Sequence, residues 1–135
     1  QMIDKYVSKN SDKSVGFTSL GQLRYLSALQ YMDTMVGNSS SGLAEAPSFK
    51  TGTINIGDRQ KGRIKADSVI DCFPDKASIK NAFKILYSKE FQSVVKTSKN
   101  PYGDGCASKK IIKILKTAQL DNILKKSFFD LKTLI

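Results

Sequence analysis

Three consecutive hydroxyls, Ser39, Ser40 and Ser41, stand between Gly37 and Gly42, and a carboxylate, Glu45, follows four residues after the last of them. The run begins where a short apolar stretch (Met35, Val36) stops, and it ends where a helix-like segment opens. In a strand–loop–helix layout these residues set serine hydroxyls and backbone N–H groups, that of Gly42 included, at a helix start. Unpaired amides and the positive pole of the helix favour phosphate there. One turn further in, Glu45 has the reach and the acceptor oxygens to take hydrogen bonds from a ribose diol. The same pattern also fits an ordinary βα turn, with serine as N-cap and glutamate in the first turn.

A second stretch, Asp58-Arg59-Gln60-Lys61-Gly62-Arg63-Ile64-Lys65, follows the apolar run Thr53–Ile56 and Gly57. Only three arginines (Arg24, Arg59, Arg63) occur among 22 lysines and arginines. Two of them four apart just after a strand point to planar, multi-donor contacts with an anion. Asp58 is expected to cap the segment behind it rather than touch a ligand, and Lys61, Arg63 and Lys65 form a basic rim, Arg63 being a further candidate phosphate contact. A third stretch, Asn100-Pro101-Tyr102-Gly103-Asp104-Gly105-Cys106-Ala107-Ser108, is dense in turn formers. Its proline and glycines set a tight turn and Asp104 or Ser108 caps the next helix, an architectural role rather than a catalytic one.

Alternating elements must position these groups. Apolar spacing predicts helices over 3–10 and 21–30 and from about 41 to 49, with Pro47 weakening or bending the last turn. Strands are expected at 14–18, near 34–37, at 53–56 and at 69–72. Beyond residue 75 the chain is predicted to be helical, over 76–88, 90–97, 107–117 and 118–131, with breakers at 98–105. Short apolar strands alternating with helices give an α/β fold: a Rossmann-like parallel sheet with helices on both faces and a helical C-terminal tail.

Composition narrows the chemistry. With 135 residues, 40% of them hydrophobic and 25% charged, the chain suits one modest globular core. No apolar run approaches the roughly 18 residues of a membrane span, and the first residues lack a signal peptide's apolar core, so no membrane is expected and a cytoplasmic location is the default. The net charge of +10 invites nucleic acid. Against that, the lysines spread along the polar faces of the helices, and no RNA-binding aromatic pattern or zinc-finger spacing occurs, so no nucleic-acid partner is expected. Cys72 and Cys106 are far apart and expected to be reduced thiols. The chain has no histidine, which removes His-dependent triads, most zinc sites and the commonest general base. No metal and no cofactor is expected.

Taken together and in order over about seventy residues, GNSSSGLAEAPSF, INIGDRQKGR and NPYGDG resemble the nucleotide-binding lobe of UDP-N-acetylglucosamine 2-epimerases. The branch that resemblance points to is the hydrolysing one, because the non-hydrolysing enzymes have an Asp-Ser-Gly-Gly sequence for GNSSSG and a Thr-Glu-Arg-Pro-type segment for GDRQKGR. The resemblance implies a two-lobed GT-B-type fold of which residues 1–118 are part of the C-terminal lobe, residues 119–135 a helical tail, and the N-terminal lobe a missing partner. It further implies a UDP-sugar substrate, with Ser39, Ser40 and Ser41 on the diphosphate, Glu45 on the ribose, Arg59 near the nucleotide and Leu20 near the uracil. The reaction implied is conversion of UDP-N-acetylglucosamine and water into N-acetylmannosamine and UDP, a route to sialic acids. A 2,4-diacetamido sugar of the legionaminic type, or the UDP-sugar lobe of a two-lobed glycosyltransferase, stays open as an alternative. The family's acids and bases lie mainly in the other lobe, so no catalytic residue is expected here. The apolar stripe Ile111, Ile112, Ile114 and Leu115 would then lack its cover, and exposed stripes of this kind favour self-association into a homo-oligomer.

Overall fold

The computed structural model describes residues 2–121 and 123–125. Residues up to Asp104 form one compact unit, and a second unit begins at Gly105. In the first, α1 (Met2–Lys9) and α2 (Gly21–Leu29) precede a three-stranded sheet built from β1 (Thr34–Gly37), β2 (Gly52–Ile56) and β3 (Val69–Cys72). Between β1 and β2 lie a single α-turn, α3 (Ser41–Ala44), and a 3₁₀ turn (Ala46–Phe49); α4 (Lys76–Leu86) and α5 (Lys89–Thr97) follow β3. The second unit contains α6 (Ala107–Thr117).

The strands are parallel in the order β1–β2–β3, with Thr34 beside Gly52 and Thr53 beside Val69. Parallel strands covered on both faces need side chains that suit burial both ways, and β2 has four fully buried residues in a row. One face is apolar. Ile54 packs there with Ala82 and Leu86 of α4, and Ile56, Ile70, Phe83 and Phe91 close around them. The other face is partly polar. Thr53 donates its hydroxyl to the Gly42 carbonyl (2.8 Å), and Asn55 donates its amide to Asp71 (2.7 Å).

That polar face admits α3 only because residue 42 has no side chain. A Cβ built on Gly42 would lie 2.6 Å from the Thr53 methyl, closer than van der Waals contact permits. The residue therefore serves the seating of the βα turn on the sheet, the function of the last glycine in many nucleotide-binding turns.

Three expectations are corrected. The strand at 14–18 does not form: the segment is irregular, pairs with no strand among the described residues, and leaves Phe17 64% exposed. A strand needs a neighbouring ladder to satisfy its backbone, and alternating residues alone do not supply one. The helix at 41–49 breaks at Glu45 (φ −112°, ψ −50°) and the chain resumes as a 3₁₀ turn over Ala46–Phe49, since Pro47 has no N–H to give the Leu43 carbonyl four residues back and its ring crowds that carbonyl. The helix at 118–131 is absent from residues 118–121 and 123–125, where Ala118 is extended (ψ 131°) and Leu120, Ile123 and Leu124 are exposed; its remainder lies outside the described residues. A short helix with no buried face is not held in water. In the second unit the α6 aliphatics Ile111, Ile112, Ile114 and Leu115 are all more than half exposed. Among the described residues no helix is long and apolar enough to cross a membrane.

Gly42→Ala should destabilise the protein by about 1–3 kcal/mol, the usual cost of overpacking a tight contact. Equilibrium chemical denaturation measures this, and an unchanged midpoint would contradict the packing role.

Candidate functional site

The ends of β1 and β2 set the site. After Gly37 the chain turns at Asn38, and the turn behind β2 reaches across to it. Gln60, only 2% exposed, donates its amide to the Asn38 carbonyl (2.7 Å), while Arg59 Nη1 approaches Asn38 Oδ1 at 3.5 Å, the long limit of such a contact. The turn itself is closed by Gly57 N–H on Cys72 O (2.9 Å), Lys61 N–H on Asp58 O (2.8 Å) and Arg63 N–H on Gln60 O (3.2 Å). No helix starts there, so Asp58 caps none; it contributes a carbonyl to the turn, and its side chain is exposed.

Ser39 and Ser40 are exposed at the tip of the loop. Ser41 N–H points to Ser39 Oγ and Gly42 N–H to Ser39 O, both at 3.3 Å, and the Ser40 carbonyl receives Leu43 and Ala44 N–H at 3.0 and 2.9 Å. No bond within the described residues engages the N–H groups of Ser39 and Ser40, which leaves two amides and two hydroxyls at one tip. Since α3 is a single turn, its dipole is small, and these discrete donors rather than a long helix must supply any attraction for an anion.

Ser41 differs from its neighbours. Its hydroxyl lies between the Tyr25 phenol and the Glu45 carboxylate, hydrogen-bonded to both. Glu45, half-buried, lines a cleft of about 520 Å³ with Phe17, Leu20, Gly21 and Tyr25. A second cleft, of about 370 Å³, opens at the C-terminal ends of the strands between Asn38, Gly57, Arg59 and Pro74. Ligands of open parallel sheets bind along that edge.

Asn100 and Tyr102, at the end of the first unit, hold these loops together. Asn100 Nδ2 donates to the Ala44 carbonyl (2.8 Å) and to Ser48 Oγ (2.7 Å), and its Oδ1 receives Tyr102 N–H (2.9 Å). The Tyr102 hydroxyl donates to the Ile64 carbonyl (3.0 Å). One residue thus clamps the segment that carries Glu45, and the other clamps the chain just past Arg63.

The structure brings Leu20 together with Glu45, and Arg59 together with Asn38. Ser39, Ser40 and Ser41 span the loop between the two clefts. Gly42 sits beneath them against the sheet, and the exposed Arg63 lines neither cleft. Sequence reasoning missed Tyr25, Gln60 and Asn38. Gln60 stood in the quoted basic segment, and its single uncharged amide among charged neighbours was the available signal. A further cleft of about 480 Å³ between β3 and α4 is lined by Ile70, Phe73, Pro74, Ala82 and Ile85, with Asp58 and Asp71 as its charged groups. Carboxylates with no cation among the lining residues make it a poor seat for a diphosphate. Among the described residues no three His, Cys, Asp or Glu side chains gather as a metal site.

Comparison with known proteins adds a family. The profile described as UDP-N-acetylglucosamine 2-epimerase matches residues 1–116. The GDP/UDP-N,N′-diacetylbacillosamine 2-epimerase (hydrolyzing) of Campylobacter jejuni is 47% identical over 132 residues, 97% of this chain and 34% of that protein. Polysialic acid biosynthesis protein P7 of Escherichia coli is 44% identical over 108 residues, 79% of this chain and 28% of its own. The UDP-N,N′-diacetylbacillosamine 2-epimerase (hydrolyzing) of Legionella pneumophila is 38% identical over 103 residues, 76% and 26% respectively. The chain therefore spans about a third or less of the length of these relatives.

Acid should weaken the sheet edge that carries the site. Burial raises the Asp71 carboxyl, but hydrogen bonds from Lys65 (2.6 Å) and Asn55 (2.7 Å) outweigh it and hold the group below its ordinary value of 3.8. A depressed carboxylate contributes stability that is complete above its unfolded value and is lost as pH falls through the lower folded one. Because Asp71 is half exposed, that contribution is under about 1 kcal/mol. Asp71→Asn should lower the melting temperature at neutral pH and make its fall below about pH 4 shallower than in the parent. Parallel acid limbs would contradict the assignment.

Proposed function

The chain belongs to the UDP-N-acetylglucosamine 2-epimerase family, and on that premise we propose that it is the UDP-binding part of a hydrolysing UDP-sugar 2-epimerase. The observation that carries the proposal is the convergence of one loop's free serine donors, the Arg59 side chain and the Glu45 cleft at the C-terminal end of a parallel sheet. The diphosphate is held by Ser39 and Ser40 with Arg59 beside it, and Arg63 adds charge from the rim. The ribose hydroxyls donate to Glu45, and the uracil lies by Leu20.

In the reaction a base removes the proton at C2 of the sugar while the C1–O bond to the diphosphate breaks. UDP leaves with that electron pair and a glycal remains; water then adds across its double bond, delivering hydroxyl to C1 and a proton to the other face of C2. Negative charge grows on the leaving diphosphate, so fixed N–H and hydroxyl donors together with Arg59 stabilise the transition state more than the ground state. This chain, which lacks histidine, supplies no base; the acids and bases come from an N-terminal lobe of the same protein, and the apolar stripe of α6 is reserved for packing against it. The sugar is N-acetylglucosamine in the first reading. A second reading, favoured by the two relatives named for diacetylbacillosamine, gives the sugar another acetamido group.

Calorimetric titration of the intact protein that carries these residues tests the nucleotide site. Glu45→Ala should weaken UDP binding by about tenfold, the equivalent of one charge-assisted hydrogen bond. Unchanged affinity would overturn the ribose assignment. The 135-residue chain alone should release no sugar from UDP-N-acetylglucosamine. The intact protein should hydrolyse either that substrate or its diacetamido analogue much faster, and turnover of neither would refute the reaction.

A further inference from the structure

We propose that Tyr25 is a positioning residue for the nucleoside site: acting through Ser41, its hydroxyl fixes the carboxylate of Glu45 against the ribose. The proposal rests on the reading that Glu45 takes the ribose hydroxyls.

The direction of the protons follows from the inventory of donors. Tyr25 and Ser41 each bring one hydroxyl proton, and an ionised carboxylate only accepts. Ser41 Oγ bonds both Glu45 Oε2 and the Tyr25 phenol. Its one proton goes to the carboxylate, so toward Tyr25 it accepts. The Tyr25 proton is then committed to Ser41 in preference to the Met35 sulfur 3.4 Å away, a weak acceptor. The order Tyr25 to Ser41 to Glu45 is the arrangement that satisfies all three groups.

Glu45 needs such a tether. It sits at the break between α3 and the 3₁₀ turn, with a distorted backbone (φ −112°, ψ −50°), so no regular helix frames its side chain. Tyr25 is carried by α2, whose C-terminal end is fastened by Thr51, the residue before β2, through its Oγ1 on the Leu29 carbonyl (2.7 Å). Tyr25 and Glu45 line the same cleft. The tether transmits the position of α2 to the carboxylate and leaves Glu45 Oε1 for the ligand. It also occupies the Ser41 hydroxyl, so the diphosphate is left to Ser39 and Ser40.

The test compares UDP with 2′,3′-dideoxy-UDP by calorimetry on the intact protein. The parent should prefer UDP, and Glu45→Ala, which removes the acceptor, should abolish the preference. Tyr25→Phe, which keeps the ring, should shrink the preference on the order of 3- to 10-fold and leave the affinity for the dideoxy compound unchanged. Ser41→Ala, which cuts the link at its other end, should shrink it equally, and the double variant should be no worse than either. If Tyr25→Phe keeps the parent's preference, or weakens both ligands alike, while Glu45→Ala abolishes the preference, the tether is wrong and the ribose reading stands. If Glu45→Ala also keeps the preference, the ribose reading itself fails and takes the tether with it.

Discussion

The contact between Gly42 and Thr53 is the constraint from which the site follows. A methyl group on residue 42 would collide with the Thr53 side chain, and the Thr53 hydroxyl bonds the Gly42 carbonyl. Together they press the first turn after β1 onto the middle of the sheet. The serine tip is then forced out at the end of the strands, and Glu45, one turn later, is held beside α2. Moving that turn outward by the radius of a methyl group would carry Ser41 and Glu45 together away from Tyr25 and lift Asn38 from Gln60.

The two faces of β2 divide the work. Ile54 and Ile56 pack against α4 with Leu86 and Ala82 and form the apolar cluster of the sheet. Thr53 and Asn55 face the other way and carry hydrogen bonds, as do the amides of Gln60 and Asn100. Asn55 and Gln60 are buried and paired through their amide nitrogens, and such directional bonds fix one geometry where an apolar side chain would accept several. Here they hold irregular chain, since the loops at 38–41 and 57–65 have no ladder of their own.

Much of this was legible in the sequence because it depends on local chemistry. Gly37, the serines and Gly42 announce a βα turn wherever they occur, and β2 declared itself by a buried apolar run ending in Gly57. The bounds of α6 (Ala107–Thr117) fell where the spacing put them. The failures are tertiary in origin. Residues 14–18 alternate like a strand but have no ladder to join among the described residues, and in the described part of the segment past Thr117 the aliphatics Leu120, Ile123 and Leu124 are exposed. Tyr25 looked like one more apolar position on an amphipathic helix, since only its approach to Ser41 sixteen residues later gives its hydroxyl a use. Asn100 had the same ambiguity. A turn former by composition, it clamps a carbonyl 56 residues away.

The central claim is that a pyrophosphate rests on the serine tip while the nucleoside enters the cleft of Glu45. A crystal structure of the intact protein with UDP tests it most directly. The account predicts phosphate oxygens within hydrogen-bond distance of the Ser39 and Ser40 N–H groups, the Arg59 guanidinium beside them, and the ribose hydroxyls on Glu45. UDP seated instead in the apolar cleft between β3 and α4, with the serine tip bare, would contradict it.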